Sequence, residues 1–275
     1  MYPDSKNSTN DFFELPDWLE ERRLPDSQFS LAYEACPAKC RAAFKTAFAL
    51  SSFIYGKKNA EEEKREFISS RYGFIQKVYK KPLSWCAFVF NDAIAPARAA
   101  AATILPILAN VPHIFGFGES FSPGLLTALE LCGIADLFLL NKREAREIFN
   151  TGCFLRPEIA QNGKLVIFTD NPSQEKTLLA CNTYICVETL PVKANILVAS
   201  PKSFDLEILD YTQNISQNTY NPSLPTECIL ADKATPLPLT APLILEPGCE
   251  AFWAYPYLKA ESFVKSQNHL KLFYA

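Results

Sequence analysis

The sequence predicts an α/β protein: a three-layer, Rossmann-type parallel-sheet core, preceded by N-terminal helices and a β-hairpin. Apolar runs at Cys86 to Phe90, His113 to Gly118 and Ala135 to Leu140 recur about every 25 residues, the spacing of βαβ units. A helical pattern follows each of them. Strands joined this way form right-handed crossovers, which place helices on both faces of a parallel sheet. The chain's 275 residues, 48% of them hydrophobic, suffice for a large core, as one large domain or two small ones.

Residues 1 to 25 hold Pro3, Pro16 and Pro25 among polar residues and read as an arm anchored by Phe12, Phe13 and Trp18. Asp26 is placed to cap a helix that Pro37 interrupts or restarts, with Cys36, Cys40, Phe44 and Phe48 on one stripe. Gly56 ends it. Residues 57 to 66 balance their charges and read as a solvated loop or helix face. Alternation from Phe67 onward, with turn points at Gly73 and at Lys81 and Pro82, predicts a hairpin leading into the first buried strand. Residues 1–82 are therefore arm, helices and hairpin, and 83–275 the α/β domain.

Within that domain Pro106 is expected to bend the helix of residues 95–110. Ser122 caps a helix with Pro123 at its first position and Gly133 beyond its end. Apolar runs at 164–170, 184–190 and 195–200 extend the sheet. From Asn218 prolines multiply, and the last third reads as short strands and loops. There Pro242 to Gly248 holds a strand, and Lys259 to Phe273 fits helix or strand.

A net charge of −3, from 27 basic and 30 acidic residues interspersed along the chain, gives no nucleic-acid footprint. The N-terminus lacks an apolar signal segment, and no run is long enough for a membrane span. A soluble, cytoplasmic protein is expected. Nine scattered cysteines read as reduced core residues, not a disulfide scaffold.

Ligands of open parallel sheets bind at the carboxyl ends of the strands, here Asn91 to Ala95, Gly116 to Ser122 and Asn141 to Glu144. Gly116 and Gly118, followed by Ser122 at a helix start, could let a backbone approach a phosphate, or could simply terminate a strand. Asn141 and Glu144 have the spacing of a capping box, which uses the helix's free amides internally. A carboxylate there also repels a pyrophosphate. A catalytic zinc draws on histidine-rich ligand sets, and the chain holds only His113 and His269. Cys36 and Cys40 share their stripe with phenylalanines and read as core. Cys249, beside Glu250, is the best-placed thiol for nucleophilic chemistry, with no histidine near it in sequence.

The run from Lys81 to Phe149 resembles histidinol dehydrogenases, which share the aldehyde-dehydrogenase-like fold. "KPLSWCAFVFNDAIAPARAAAATILPILANVPHIFGF" is similar to that family's P-x-x-x-V-G-x-Y-x-P-G-G-x-A-P segment with its helix and next strand, and "LTALELCGIADLFLL" to its A-A-x-x-C-G-V-x-x-V-F. Weaker likeness runs back to "CRAAFKTAF" and forward through "LPVKANILVAS". The resemblance implies a zinc-dependent oxidation of L-histidinol to L-histidine with two NAD molecules. It also implies where the working residues would fall. The tyrosine and P-G-G that meet cofactor fall on Phe88 and on Phe90, Asn91 and Asp92, and the glutamine of G-G-A-Q falls on Glu144. The G-P-S-E substrate segment falls on Lys193 to Asn195 with a residue missing. The metal motif Q-A-E-H keeps Gln213 but puts Ser216 at its histidine, and the G-P-E-H acid–base segment has no counterpart.

The sequence thus predicts an aldehyde/histidinol-dehydrogenase-like fold without the zinc and standard NAD chemistry, binding a small molecule or a protein partner through the sheet-end cleft. Phe88, Asn91, Gly116, Gly118 and Glu144 are the cofactor-side positions; NAD remains compatible with them, zinc is not expected, and a homodimer is left open. The alternative is an NAD(P)-linked oxidoreductase acting on an aldehyde or amino alcohol through Cys249 or Cys153. A third reading is a structural subunit docking through Phe12, Phe13 and Trp18.

Overall fold

The computed structural model describes residues 17–56, 63–69, 73–141, 143–145, 148, 162–171, 186–217, 220–236 and 241–272. Helix α1 (Asp17–Glu20) leads to α2 (Asp26–Ala35) and α3 (Ala38–Tyr55). Pro25, not Asp26, occupies the N-cap of α2, because Pro pre-sets the extended entry and leaves Asp26 in the first turn, where its charge suits the helix dipole. Cys40 and Phe44 on α3 and Cys36 before it are buried, as their shared stripe predicts. Strand β1 (Glu63–Ser69) and strand β2 (Phe74–Pro82) form the expected hairpin. Residues 63–66, expected in a solvated loop or helix face, belong to β1.

The central sheet is all parallel. It contains β3 (Trp85–Val89), β4 (His113–Gly118), β5 (Leu137–Leu139), β6 (Gly163–Phe168) and β7 (Cys186–Leu190), in the order β5-β4-β3-β6-β7. Helix α4 (Pro96–Leu108) joins β3 to β4, and α5 (Pro123–Cys132) joins β4 to β5. Pro106 lies inside α4, Ser122 Oγ accepts from the amide of Leu125 at 3.2 Å, and Gly133 takes the left-handed conformation (φ 88°) after α5. These caps follow the sequence reading.

Alternation sorts the central strands between two cores. Cys86 and Phe88 join Val166 and Phe168 on the face covered by α4 and α5, while Trp85 and Ala87 join Phe115, Phe117, Leu165 and Ile167 on the other. In-register Trp85 lies across Gly163, where a Cβ would come within 1.8 Å of the indole, so only glycine fits.

The N-terminal arm is anchored differently from the expectation. Trp18 is 46% exposed, whereas Leu19 and Leu24 are buried, and Phe12 and Phe13 lie outside the described residues. The amide of Leu24 donates to Leu137 O (2.8 Å) and that of Leu139 to Arg22 O (2.9 Å), so residues 22–24 cover the open edge of β5. Arg23 pairs with Glu20 and Asp136 over the ring of Phe138.

After β7 the chain leaves the sheet. Strands β8 (Ile196–Val198), β9 (Cys228–Leu230) and β10 (Leu243–Leu245) form a separate parallel sheet in the order β10-β9-β8, with α6 (Leu206–Gln213) between β8 and β9. The expectation that residues 195–200 extend the central sheet is therefore corrected. Pro191 has no amide for a ladder, and the carbonyls of Pro191 and Val192 are taken by Arg98, which turns the chain toward the second sheet. Strand β11 (Val264–Leu272) returns to pair antiparallel with β2, giving a third sheet, β1-β2-β11, so that residues 264–272 of the ambiguous segment are strand, preceded by a 3-10 turn at Ala260–Phe263. Among the described residues no helix is long and apolar enough to cross a membrane.

Candidate functional site

The strand order reverses between β3 and β6, so the crevice that would receive a ligand opens outside Phe90 and Phe168. It is filled by aromatic side chains. Phe90 stacks on Phe168 with centroids 5.5 Å apart and on Phe88 at 5.9 Å, and meets the edge of Phe121 at 6.1 Å. Phe88, Phe90 and Phe168 are all buried.

The two glycines serve these rings. A Cβ on Gly116 would lie 2.3 Å from Leu137 Cδ2 and 2.9 Å from Phe90 Cε2, and one on Gly118 would lie 3.1 Å from Phe121 Cζ. Each glycine makes room for a side chain of this same protein. Neither leaves an open approach for a phosphate.

Side chains also engage a backbone amide in each strand-end turn, although the N-cap of α4, Ala95, supplies no side-chain cap. Asn91 Oδ1 accepts from Ala93 N at 3.0 Å after β3, Ser122 Oγ from Leu125 N after β4, and Thr169 Oγ1 from Asn171 N at 3.1 Å after β6. After β5 the capping box forms as its spacing predicts: Glu144 N donates to Asn141 Oδ1 and Asn141 N to Glu144 Oε2, both at 2.9 Å. Amides bonded to their own turns are not available to cradle a pyrophosphate.

The second α/β unit closes directly over this edge. Tyr211 of α6 packs on Gly124 at the start of α5, Asn214 Nδ2 donates to Ala93 O at 3.4 Å, and Tyr255 Oη donates to Arg98 O at 3.1 Å. Arg98, in the first turn of α4, is the charged residue that sequence reasoning overlooked. It is 1% exposed, donates to Val192 O (2.6 Å) and Pro191 O (2.7 Å), and lies over the Trp253 ring at 5.0 Å. Among the described residues no carboxylate pairs with it. A lone arginine in an alanine-rich helix start just after a buried strand is the sequence signal that could have found it.

The positions aligned with the family's zinc and substrate motifs do structural work. Gln213 Nε2 donates to the carbonyls of Glu250 (3.1 Å) and Phe252 (3.0 Å), and Ser216 N donates to Asp210. Asn195 Nδ2 binds the carbonyls of Asn221 and Leu224, and its amide binds Glu227. Among the described residues no group of three or more His, Cys, Asp or Glu could hold a metal ion. His113 is exposed at the amino end of β4, and His269 is exposed on β11. These side chains do not fit a zinc.

Cys249 follows Gly248, whose φ of 94° sets the turn. Burial, then the carboxylates of Glu250 and Glu246, push its thiol above the ordinary value, which disfavours the thiolate a nucleophile needs. Cys153 lies outside the described residues.

No protein-family profile matches the chain, and no curated protein matches it in sequence. Among solved structures, histidinol dehydrogenase from Elizabethkingia anophelis superposes with a TM-score of 0.57 at 15% identity, covering 91% of this chain and 77% of that one. The fold is aldehyde/histidinol dehydrogenase-like. Partial superpositions include an NAD-dependent benzaldehyde dehydrogenase from Corynebacterium glutamicum (TM-score 0.35, 13% identity, 76% of this chain, 55% of that one). Another is a succinate-semialdehyde dehydrogenase from Burkholderia pseudomallei (TM-score 0.36, 16% identity, 69% and 37%). Likeness at these identities extends to fold alone.

Proposed function

We propose that this chain is a non-catalytic relative of the dehydrogenases whose fold it shares, working as a binding module rather than by zinc or NAD chemistry. The observation that supports this most is the Phe90–Phe168 stack in the switch-point crevice. A dinucleotide would have to displace that stack and also break the hydrogen bonds that close each strand-end turn. Removing a buried phenylalanine from its packing costs about 3–5 kcal/mol, which would offset much of the affinity of a micromolar cofactor, about 8 kcal/mol. Of the zinc-aligned positions, Gln213 donates its Nε2 to backbone carbonyls of the second unit, and the amide of Ser216 donates to the Asp210 carboxylate. The packed seam around Arg98 leaves small-molecule or protein recognition at the rim of the cleft as the inherited use of this edge.

The test is titration calorimetry of the purified chain with NAD, NADP and zinc, with thermal shift alongside. Flat titrations and an unchanged Tm are expected. Saturable NAD binding, or reduction of NAD in the presence of L-histidinol or an aldehyde, would overturn the proposal.

A further inference from the structure

The described side chains of the sheet β1-β2-β11 are exposed or half-buried on both faces. Alternation and register sort its residues. On one face lie Phe67, Phe74, Val78, Leu270 and Leu272, with Arg65 and Lys80 among them; on the other lie Lys64, Lys77, Lys81, Lys265 and Lys271 beside Ile68 and Ile75, with Glu66 as the lone carboxylate of that face among the described side chains. Five lysines thus share one small surface of a chain whose net charge is −3. Glu66 pairs only with Lys77, at 3.4 Å, and Lys81, Lys265 and Lys271 have no ion-pair partner among the described residues.

Lys81 and Lys265 are direct cross-strand partners, a like-charge pairing that weakens a sheet on its own. Such a pair is relieved by an anion shared between the two ammonium groups. Along the β2–β11 seam successive rows hold Lys81 with Lys265, Tyr79 with Gln267, Lys77 with His269, and Ile75 with Lys271. The rows are about 6.8 Å apart, two residues of strand, so the cations form a narrow track rather than a round patch. In the middle of the track stands Tyr79, 38% exposed, with the Lys64 ammonium 5.6 Å from its ring centroid.

We propose that this face binds single-stranded nucleic acid, with phosphates along the lysine track and a base stacked on Tyr79. Cations flanking an exposed aromatic are the two components of sequence-tolerant single-strand binding. An anionic bilayer is the poorer match: of the exposed apolar groups it would take up, Phe67, Leu270 and Leu272 point from the opposite face, and Ile68 alone shares the face of the lysines. The interspersed charges of the linear sequence conceal the track, because it assembles only when β11 pairs with β2.

The experiment is fluorescence anisotropy of a labelled oligouridylate with the full chain. Four phosphate contacts, one each at Lys77, Lys81, Lys265 and Lys271, predict that affinity falls about 50-fold between 50 and 200 mM salt. Lys265→Glu should weaken binding at least tenfold while leaving Tm unchanged or raised, since it replaces a like-charge pair with an opposite one. Tyr79→Ala should weaken it roughly tenfold. Lys45→Glu, the same charge change on α3, should leave it within about twofold. The proposal is overturned if the wild-type chain shows no salt-dependent binding, if Lys45→Glu weakens binding as much as Lys265→Glu, or if phosphatidylserine vesicles are bound and oligouridylate is not.

Discussion

Gly116→Ala separates a glycine that serves a phosphate from one that serves a ring. In an open crevice an added methyl would project toward solvent or ligand and leave stability almost unchanged. Here the new Cβ would lie 2.3 Å from Leu137 Cδ2 and 2.9 Å from Phe90 Cε2, and both side chains are buried. Overpacking of this kind typically costs about 1–3 kcal/mol, and the Leu137 contact, a full ångström inside van der Waals distance, places this site toward the upper end. That corresponds to a fall in Tm of roughly 5–10 °C for a chain of this size. Urea unfolding of the wild type, Gly116→Ala, Leu137→Ala and the double variant completes a cycle. Leu137→Ala alone should cost about 2–5 kcal/mol as a cavity, and the double variant should cost clearly less than the sum, because the methyl enters the space the leucine leaves. A Gly116→Ala protein within about 0.5 kcal/mol of wild type, or strict additivity in the cycle, would refute the close packing of Leu137 and Phe90 over Gly116.

Asn141→Ala removes one half of the capping box and should cost about 1 kcal/mol by urea unfolding, while Glu144→Gln should leave the NAD titration flat. Arg98→Met leaves the carbonyls of Pro191 and Val192 without donors and should destabilise by about 2–4 kcal/mol in chemical unfolding, despite the removal of a buried charge. At neutral pH iodoacetamide should label exposed Cys186 ahead of Cys249, whose thiol is raised; mass spectrometry of peptides reads the order. Asp205, bonded to Lys39 and the amides of α6, and Asp232, bonded by Thr235 and Ser203, are held below the ordinary value of 3.8. Their contribution is present above that pH and lost as pH falls through the lower folded-state values, so Asp232→Asn should flatten the acid side of the Tm profile. Burial raises the thiols of Cys132 and Cys228 from 9.0 to about 12. The folded chain keeps those protons where the unfolded chain loses them, so stability should fall as pH rises above 9.

The central sheet was legible because strand and helix alternate at a regular interval and because the caps are local: Ser122, Gly133 and the Asn141–Glu144 pair depend on residues three or four apart. The destination of residues 196–198 was not, since an apolar run of that length suits either sheet and the turn at Pro191 depends on Arg98, distant in sequence. The site was half legible. Departures at Phe88, Asn91 and Glu144 could be aligned one by one, but a glycine at a strand end looks the same whether it faces a phosphate or a phenylalanine. Phe168, which decides the matter for the crevice, lies far from Phe90 along the chain. Trp18 misled because size suggested an anchor, whereas the smaller Leu19 fits beneath the sheet.

The pairing of β11 with β2 also sets an order of events during synthesis. At about 5–20 residues per second, residues 264–272 leave the ribosome some 10–40 s after residues 74–82. Through that interval β2 presents an unpaired edge beside Phe67 and Phe74, on a two-stranded hairpin too small to be stable alone. The arriving strand completes the sheet only after the rest of the chain has had time to fold. Nascent chains are therefore open to association at this hairpin through most of translation, and a chaperone that shields it would act over that interval.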